Sequence, residues 1–193
     1  MLKVGITGGI GSGKSIVAKI METLGYKVFY SDKCAKDVML NDLDIKRQLI
    51  ASFGDKIFVG KSLNKELLSH LLFEKKENQI TINSIVHPKV RSLFEEFCAL
   101  NVDEEIIFNE AAILFETGAY LNFDKIILVK SPLDLKLKRV SIRDSISTEE
   151  VLTRMSAQWP DEQKEELTSL YLLNDNETPL LAQVEEMMPV LLK

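Results

Sequence analysis

The chain has 193 residues, 46% hydrophobic and 27% charged, with a net charge of −5. That is enough chain for one domain with a real core, and the composition is that of an ordinary soluble globular protein. The acid excess excludes the broad basic surface that a nucleic-acid coat needs to displace counterions. A phosphorylated small molecule, which needs only a local basic pocket, stays within reach. Cys34 and Cys98 form no CxxC pair and no zinc spacing, so they read as reduced thiols. No apolar run approaches the ~20 residues of a membrane span. The N-terminus reads as a strand and not as a signal peptide. The expectation is a cytoplasmic protein with no membrane or nucleic-acid partner, acting as a monomer or weak homo-oligomer.

The chain opens with a short apolar strand over residues 2–6. A glycine-rich turn follows, then a helix over 15–24 with Val17, Ala18, Ile20, Met21 and Leu24 facing inward, stopped by Gly25. A second strand covers 26–30. Strand, loop, helix and strand in this order predict parallel pairing with a right-handed crossover. From Lys33 to about Asn101 the pattern is helical. Leu67, Leu68, Leu71 and Leu72 recur at helix spacing, as do Ile80, Ile82, Ile85 and Val86, and Pro88 is expected to interrupt that segment. Strands return at 105–109 and 125–129. Pro132 opens a helix toward Arg143. A charged helical stretch covers 148–167, a short strand 171–173, and a last helix 180–188. The reading is an α/β, three-layer fold with a five-stranded, mostly parallel sheet. Its core is 1–32, 104–138 and 168–193. A helical acceptor-binding insertion spans 33–103 and a lid 139–167.

The strongest signal is Gly8-Gly9-Ile10-Gly11-Ser12-Gly13-Lys14-Ser15, which matches G-x-x-x-x-G-K-[ST] at every fixed position, with a strand before it and a helix after it. Glycines let the backbone curl until successive N–H groups point at one anion. The helix N-terminus adds its positive dipole end. Gly9, Gly11, Ser12, Gly13, Lys14, Ser15 and Ile16 are therefore the candidate nucleotide-binding residues. Lys14 would reach the β- and γ-phosphates, and the Ser15 hydroxyl would ligate Mg²⁺. The motif speaks for a nucleoside triphosphate and leaves the fate of the γ-phosphate open.

Glu110 ends the apolar strand at 105–109, where P-loop proteins carry the acid that holds magnesium; a solvated strand-end carboxylate fits the same position. Asp32 directly follows the second strand, on the sheet edge where ligands sit. It could orient or deprotonate an acceptor hydroxyl, or cap the helix that starts at Lys33. The chain has five arginines. Arg139, Arg143 and Arg154 lie close together, and the first two share a helix face. They suit a phosphate clamp in a lid, and equally a solvated face paired with Asp144, Glu149 and Glu150. His87, before Pro88, and His70 are more ordinary as structural residues.

A GTPase is unsupported. The one Asn-Lys pair, Asn64-Lys65, has Leu67 where N-K-x-D needs its Asp, and no Asp has Gly three residues later. An ATP-driven regulatory module would need neither Asp32 nor a helical insertion. A kinase of another small acceptor, such as a nucleoside monophosphate, fits the composition as well as any.

At this point the motifs, taken together, resemble the dephospho-coenzyme A kinase family. The P-loop core 7–15, the stretch 25–36 with Tyr30-Ser31-Asp32, the stretch 83–88 ending in His-Pro, and 110–118 with its Leu-Phe-Glu follow the family's order. So do 137–143 with its paired basic residues, 154–158 ending in Gln158, and the late Asn174. The resemblance implies transfer of the ATP γ-phosphate to the ribose 3′-hydroxyl of dephospho-CoA, the last step of coenzyme A biosynthesis, with Mg²⁺. It implies Asp32, Lys14 and Arg139 in catalysis. Arg143 and Asn174 would touch the nucleotide, and Asp32, His87 and Glu116 the acceptor. The chain departs from the family pattern at Tyr30, where an Asp is usual, and at Ala112, where Pro is usual. It also departs at Ile16, at Asp161, where a basic residue is common, and in lacking Gly after Asn174. Replacing Lys14 by Ala is expected to weaken nucleotide binding or turnover by at least about tenfold. Unaltered steady-state kinetics would contradict the phosphate-loop reading.

Overall fold

Two apolar runs, 106–108 and 126–129, lack polar alternation, as strands covered on both faces do. A computed structural model describes residues 1–192, apart from the side chains at 65, 73 and 74. Lys193, the last residue of the expected core, lies outside the described residues. The two runs form β5 (Ile106–Glu110) and β6 (Lys125–Lys130), on either side of β1 (Leu2–Thr7). β1 pairs in parallel with both, and β6 pairs in parallel with β7 (Leu170–Leu173). With β2 (Lys27–Tyr30) on the outer side of β5, the sheet runs β2-β5-β1-β6-β7. The fold is α/β with a five-stranded parallel sheet.

By its internal contacts the chain divides into two compact units, residues 1–29 with 101–193, and residues 30–100. The first holds the sheet. α1 (Lys14–Thr23) buries Val17, Ala18 and Met21. Ile20 is half-buried, and Leu24, expected to face inward, is exposed because it caps the helix beyond its apolar stripe. α6 (Leu133–Asp144) starts after Pro132, where the fixed φ of proline suits a helix entry. The charged stretch expected as one helix is two, α7 (Thr148–Met155) and α8 (Asp161–Glu165). Pro160 separates them, since the residue before a proline is pushed out of the helical region. A capping box starts α7: the Ser147 hydroxyl accepts from the Glu150 N–H and the Glu150 carboxylate from the Ser147 N–H. α9 (Leu180–Leu191) closes the chain. Phe108, fully buried in β5, meets Tyr26 edge to face with ring centroids 5.5 Å apart.

The second unit carries α2 (Ser31–Asn41), α3 (Leu43–Phe53), α4 (Lys65–Glu74) and α5 (Lys76–Leu100). Pro88 does not interrupt α5, which runs through it for 25 residues. One missing N–H is offset there by the burial of Ile82, Val86, Val90, Phe94 and Cys98 along one stripe. Asp42 caps α3 by accepting from the Asp44 and Ile45 N–H groups, and Lys89 of α5 pairs with its other oxygen at 3.3 Å. A two-stranded antiparallel pair, β3 (Phe58–Val59) and β4 (Ser62–Leu63), sits in what the sequence pattern reads as continuous helix. Gly60 makes its turn at φ 61°.

Phe108→Ala is expected to destabilise the protein by about 3–5 kcal/mol, read as a lowered urea midpoint with an unchanged m-value.

Candidate active site

The register between β1 and β5 places Glu110 level with Ile6, and the Ala111 N–H donates to the Ile6 carbonyl at 3.0 Å. The strand-end carboxylate thus stands at the root of the glycine loop that leaves β1. It is 4% exposed. Its Oε1 accepts from the Ser15 hydroxyl at 3.2 Å and lies 3.7 Å from the Lys14 ammonium. Lys14, Ser15 and Glu110, expected from the sequence to serve one phosphate and one metal, are brought together.

The loop itself needs its glycines. Gly11 and Gly13 hold φ of 80° and 93°, the left-handed region that side chains resist. A Cβ on Gly11 would come within 2.7 Å of the Lys136 carbonyl, and one on Gly13 within 2.0 Å of the Asn174 Nδ2. Gly13 caps α1, and the first turn of that helix carries no acid and no side-chain cap. The positive end of the helix is left for an anion. Within the loop, the Ser12 N–H donates to the Gly9 carbonyl at 3.0 Å and the Ile16 N–H to the Gly13 carbonyl at 2.8 Å, while the Ile16 side chain is exposed.

The loop carbonyls are held from outside. Asn174, buried just after β7, donates from Nδ2 to the Ser12 carbonyl at 2.8 Å. Arg139 of α6 donates to the Gly11 carbonyl at 3.4 Å, to the Ser131 hydroxyl at 2.9 Å, to the Asn174 carbonyl and Oδ1, and to the Asn176 side chain. Arg139 and Asn174 therefore hold the loop. Arg143 and Arg154 turn to Asp144, both at 2.8 Å. The Arg143 hydrogen bond, more than any other influence, keeps the Asp144 carboxyl below its usual range. Of the three clustered arginines, only Arg139 is shown bonded to the glycine loop.

In the other unit, Asp32 lies in the first turn of α2, which begins at Ser31 and not at Lys33. It is inside the helix, so the capping reading fails, while the carboxylate still complements the helix dipole. His87 is held toward its neutral form, by burial first and by the charge of Arg91 second, with Asp32 acting in the opposite direction.

The family model for dephospho-CoA kinase matches residues 2–179. The chain belongs to the dephospho-CoA kinase family. A dephospho-CoA kinase from Bacteroides fragilis is 38% identical over 190 residues, covering 98% of this chain and 93% of that protein. A solved structure from Thermus thermophilus has a TM-score of 0.87 at 32% identity, covering 100% of this chain and 98% of that one. The dephospho-CoA kinase from Campylobacter jejuni has a TM-score of 0.64 at 28% identity, covering 97% and 94%. The protein is an ATP-dependent kinase of the last step of coenzyme A biosynthesis.

For a dephospho-CoA kinase, three residues outside the sequence-derived site matter. Gln158 accepts from the Ile10 N–H at 2.8 Å and donates to the Ala112 carbonyl at 3.3 Å. The bond to Ala112 goes to the backbone, so Ala serves there as well as the family's usual Pro. Trp159 packs on the cluster of Ala111, Leu114, Phe115 and Ile126, and its N–H donates to the Glu116 Oε1 at 2.9 Å. That same oxygen lies 2.8 Å from the ammonium of Lys164, whose side chain is 0% exposed. The contact is an ion pair, not an aligned hydrogen bond, and Glu116 Oε2 is buried with no hydrogen-bond partner among the described residues. Glu116 is thus turned toward protein groups that tie residues 159–164 down. No spacing rule finds such a pair; only an acid and a lysine 48 residues apart could have been noted.

Removing one member of a buried pair strands the other charge. Lys164→Met is expected to cost about 3–5 kcal/mol, and adding Glu116→Leu is expected to recover much of the loss in the same thermal melt.

Proposed function

We propose that the γ-phosphate passes in line from ATP to the ribose 3′-hydroxyl of dephospho-CoA, with Lys14, Ser15 and Glu110 at the phosphate end and Asp32 at the hydroxyl. The observation that carries the phosphate end is the contact of one buried carboxylate with both the P-loop ammonium and the P-loop hydroxyl, at 3.7 and 3.2 Å. Incoming phosphates compete for Lys14, and its transfer from carboxylate to phosphate releases Glu110. A hydroxyl and a carboxylate oxygen suit a hard, oxygen-seeking cation. Ser15, and Glu110 through water, would hold Mg²⁺, which when bound offsets charge on the β- and γ-phosphates.

Asp32 accepts or orients the hydroxyl proton so that the attacking oxygen faces phosphorus. His87, held neutral, presents an uncharged imidazole to the acceptor, with Arg91 and Asp32 as the charges nearest in effect. Arg139 and Asn174 keep the loop in shape for the nucleotide, and Arg143 meets it once drawn from Asp144. Residues 33–103 hold the acceptor, and 139–167 close over ATP and keep water from the γ-phosphate. The reaction belongs to the cytoplasm, where ATP is kept high, and needs no nucleic-acid or membrane partner. We read the enzyme as a monomer or weak homo-oligomer.

The test is an ADP-release assay with ATP, Mg²⁺ and dephospho-CoA, run beside nucleoside monophosphates and a sample without acceptor. ADP with dephospho-CoA alone, with coenzyme A found by mass spectrometry, is expected. ADP with a nucleoside monophosphate would reassign the acceptor. In the same assay Asp32→Asn is expected to lower kcat at least ~100-fold while ATP affinity holds. A kcat near wild type would remove Asp32 from the mechanism.

A further inference from the structure

A second lysine stands at the phosphate loop. Lys136 lies near the start of α6, and its carbonyl is close enough to the loop that a Cβ added at Gly11 would meet it at 2.7 Å. Its ammonium is 2.8 Å from Asp161 Oδ2, and the two side chains are only 11% and 14% exposed. A Cβ placed on Gly9 would find Asp161 Oδ1 at 3.6 Å, the Lys136 ammonium at 3.8 Å and Gln158 Oε1 at 3.9 Å. The open face of Gly9 is therefore lined by one cation, one anion and one amide. Gln158 is committed to the Ile10 N–H and the Ala112 carbonyl.

The placement of the cation is unfavourable for the helix alone. A lysine in the N-terminal part of a helix opposes its dipole, whereas an acid there is favoured. Asp161 is the first residue of α8 and sits where an acid belongs. The pair also repeats the arrangement at Lys14, where a cation beside the loop is matched by a carboxylate. A terminal phosphate carries more negative charge than one carboxylate and offers three oxygens, so it competes well for such an ammonium. ADP has a terminal phosphate of its own, but at the β-position, one phosphate short of the γ-phosphate.

We propose that Lys136 is a γ-phosphate-binding residue: on ATP binding its ammonium leaves Asp161 for an oxygen of the terminal phosphate, and Asp161 serves to hold it in reserve. This rests on the kinase reading above and adds a catalytic cation that the P-loop motif does not contain. It also gives the acid at 161 a function, since a basic residue there would repel Lys136.

The experiment titrates wild type, Lys136→Met and Asp161→Asn with ADP and with a β,γ-imido analogue of ATP, by calorimetry with Mg²⁺ present. Lys136→Met is expected to lose about tenfold in affinity for the analogue and less than about twofold for ADP. Asp161→Asn is expected to bind the analogue at least as tightly as wild type, with ADP unchanged. Equal losses for both nucleotides in Lys136→Met, or no loss for either, would overturn the proposal. So would Asp161→Asn behaving like Lys136→Met, since the pair would then be a strut. Wild type that makes no coenzyme A, with the nucleotide ratio still shifted in Lys136→Met, would leave the clamp standing and sink the acceptor assignment alone.

Discussion

A backbone curled so that its N–H groups converge must turn its carbonyls outward, and those carbonyls need donors of their own. In this protein the requirement is met from two distant places. Asn174, just after the edge strand β7, supplies the donor for Ser12, and Arg139 of α6 supplies one for Gly11. Arg139 also binds Asn174 and Asn176, so the two supports are bonded to each other. The order of strands follows from the same need. β1 must be central for its loop to be reached from β5 on one side and, through β6 and β7, from Asn174 on the other.

The second constraint is charge. Concentrating lysines around a loop that awaits a polyphosphate would repel them from one another in a site of low dielectric. Each is instead matched by an acid from a different element, Glu110 from β5 and Asp161 from α8. A matched pair keeps the ammonium in place at a cost in desolvation. In the proposed exchange the ammonium passes from carboxylate to phosphate and is never itself unpaired.

Residues with a mechanical reason to recur at fixed spacing were legible in the sequence. The glycine loop, the strand that leads into it and the acid at the end of β5 each follow from short-range rules, and the parallel sheet follows from their alternation with helices. Long-range partners were not legible. The sequence offers no reason why Arg139 should turn to Asn174 while Arg143, one turn on, turns to its neighbour Asp144. Glu116 and Lys164 look like surface residues until the fold buries both. Pro88 shows tertiary burial overriding local propensity, since a stripe of apolar contacts keeps α5 whole where the ring alone would end it. Pro160 has no such support and does break its helix.

Trp159 is the sole tryptophan of the chain. Its indole lies against an apolar cluster, and its own amide is tied to the carboxylate that Lys164 neutralises. It is next to Gln158, which holds the glycine loop at Ile10. The protein thus carries one tryptophan emitter, which can be excited selectively over its four tyrosines, at the joint between the phosphate loop and the segment ending in α8. A change in polarity at that joint shifts the emission of a single residue, so its motion can be followed in real time in unlabelled protein.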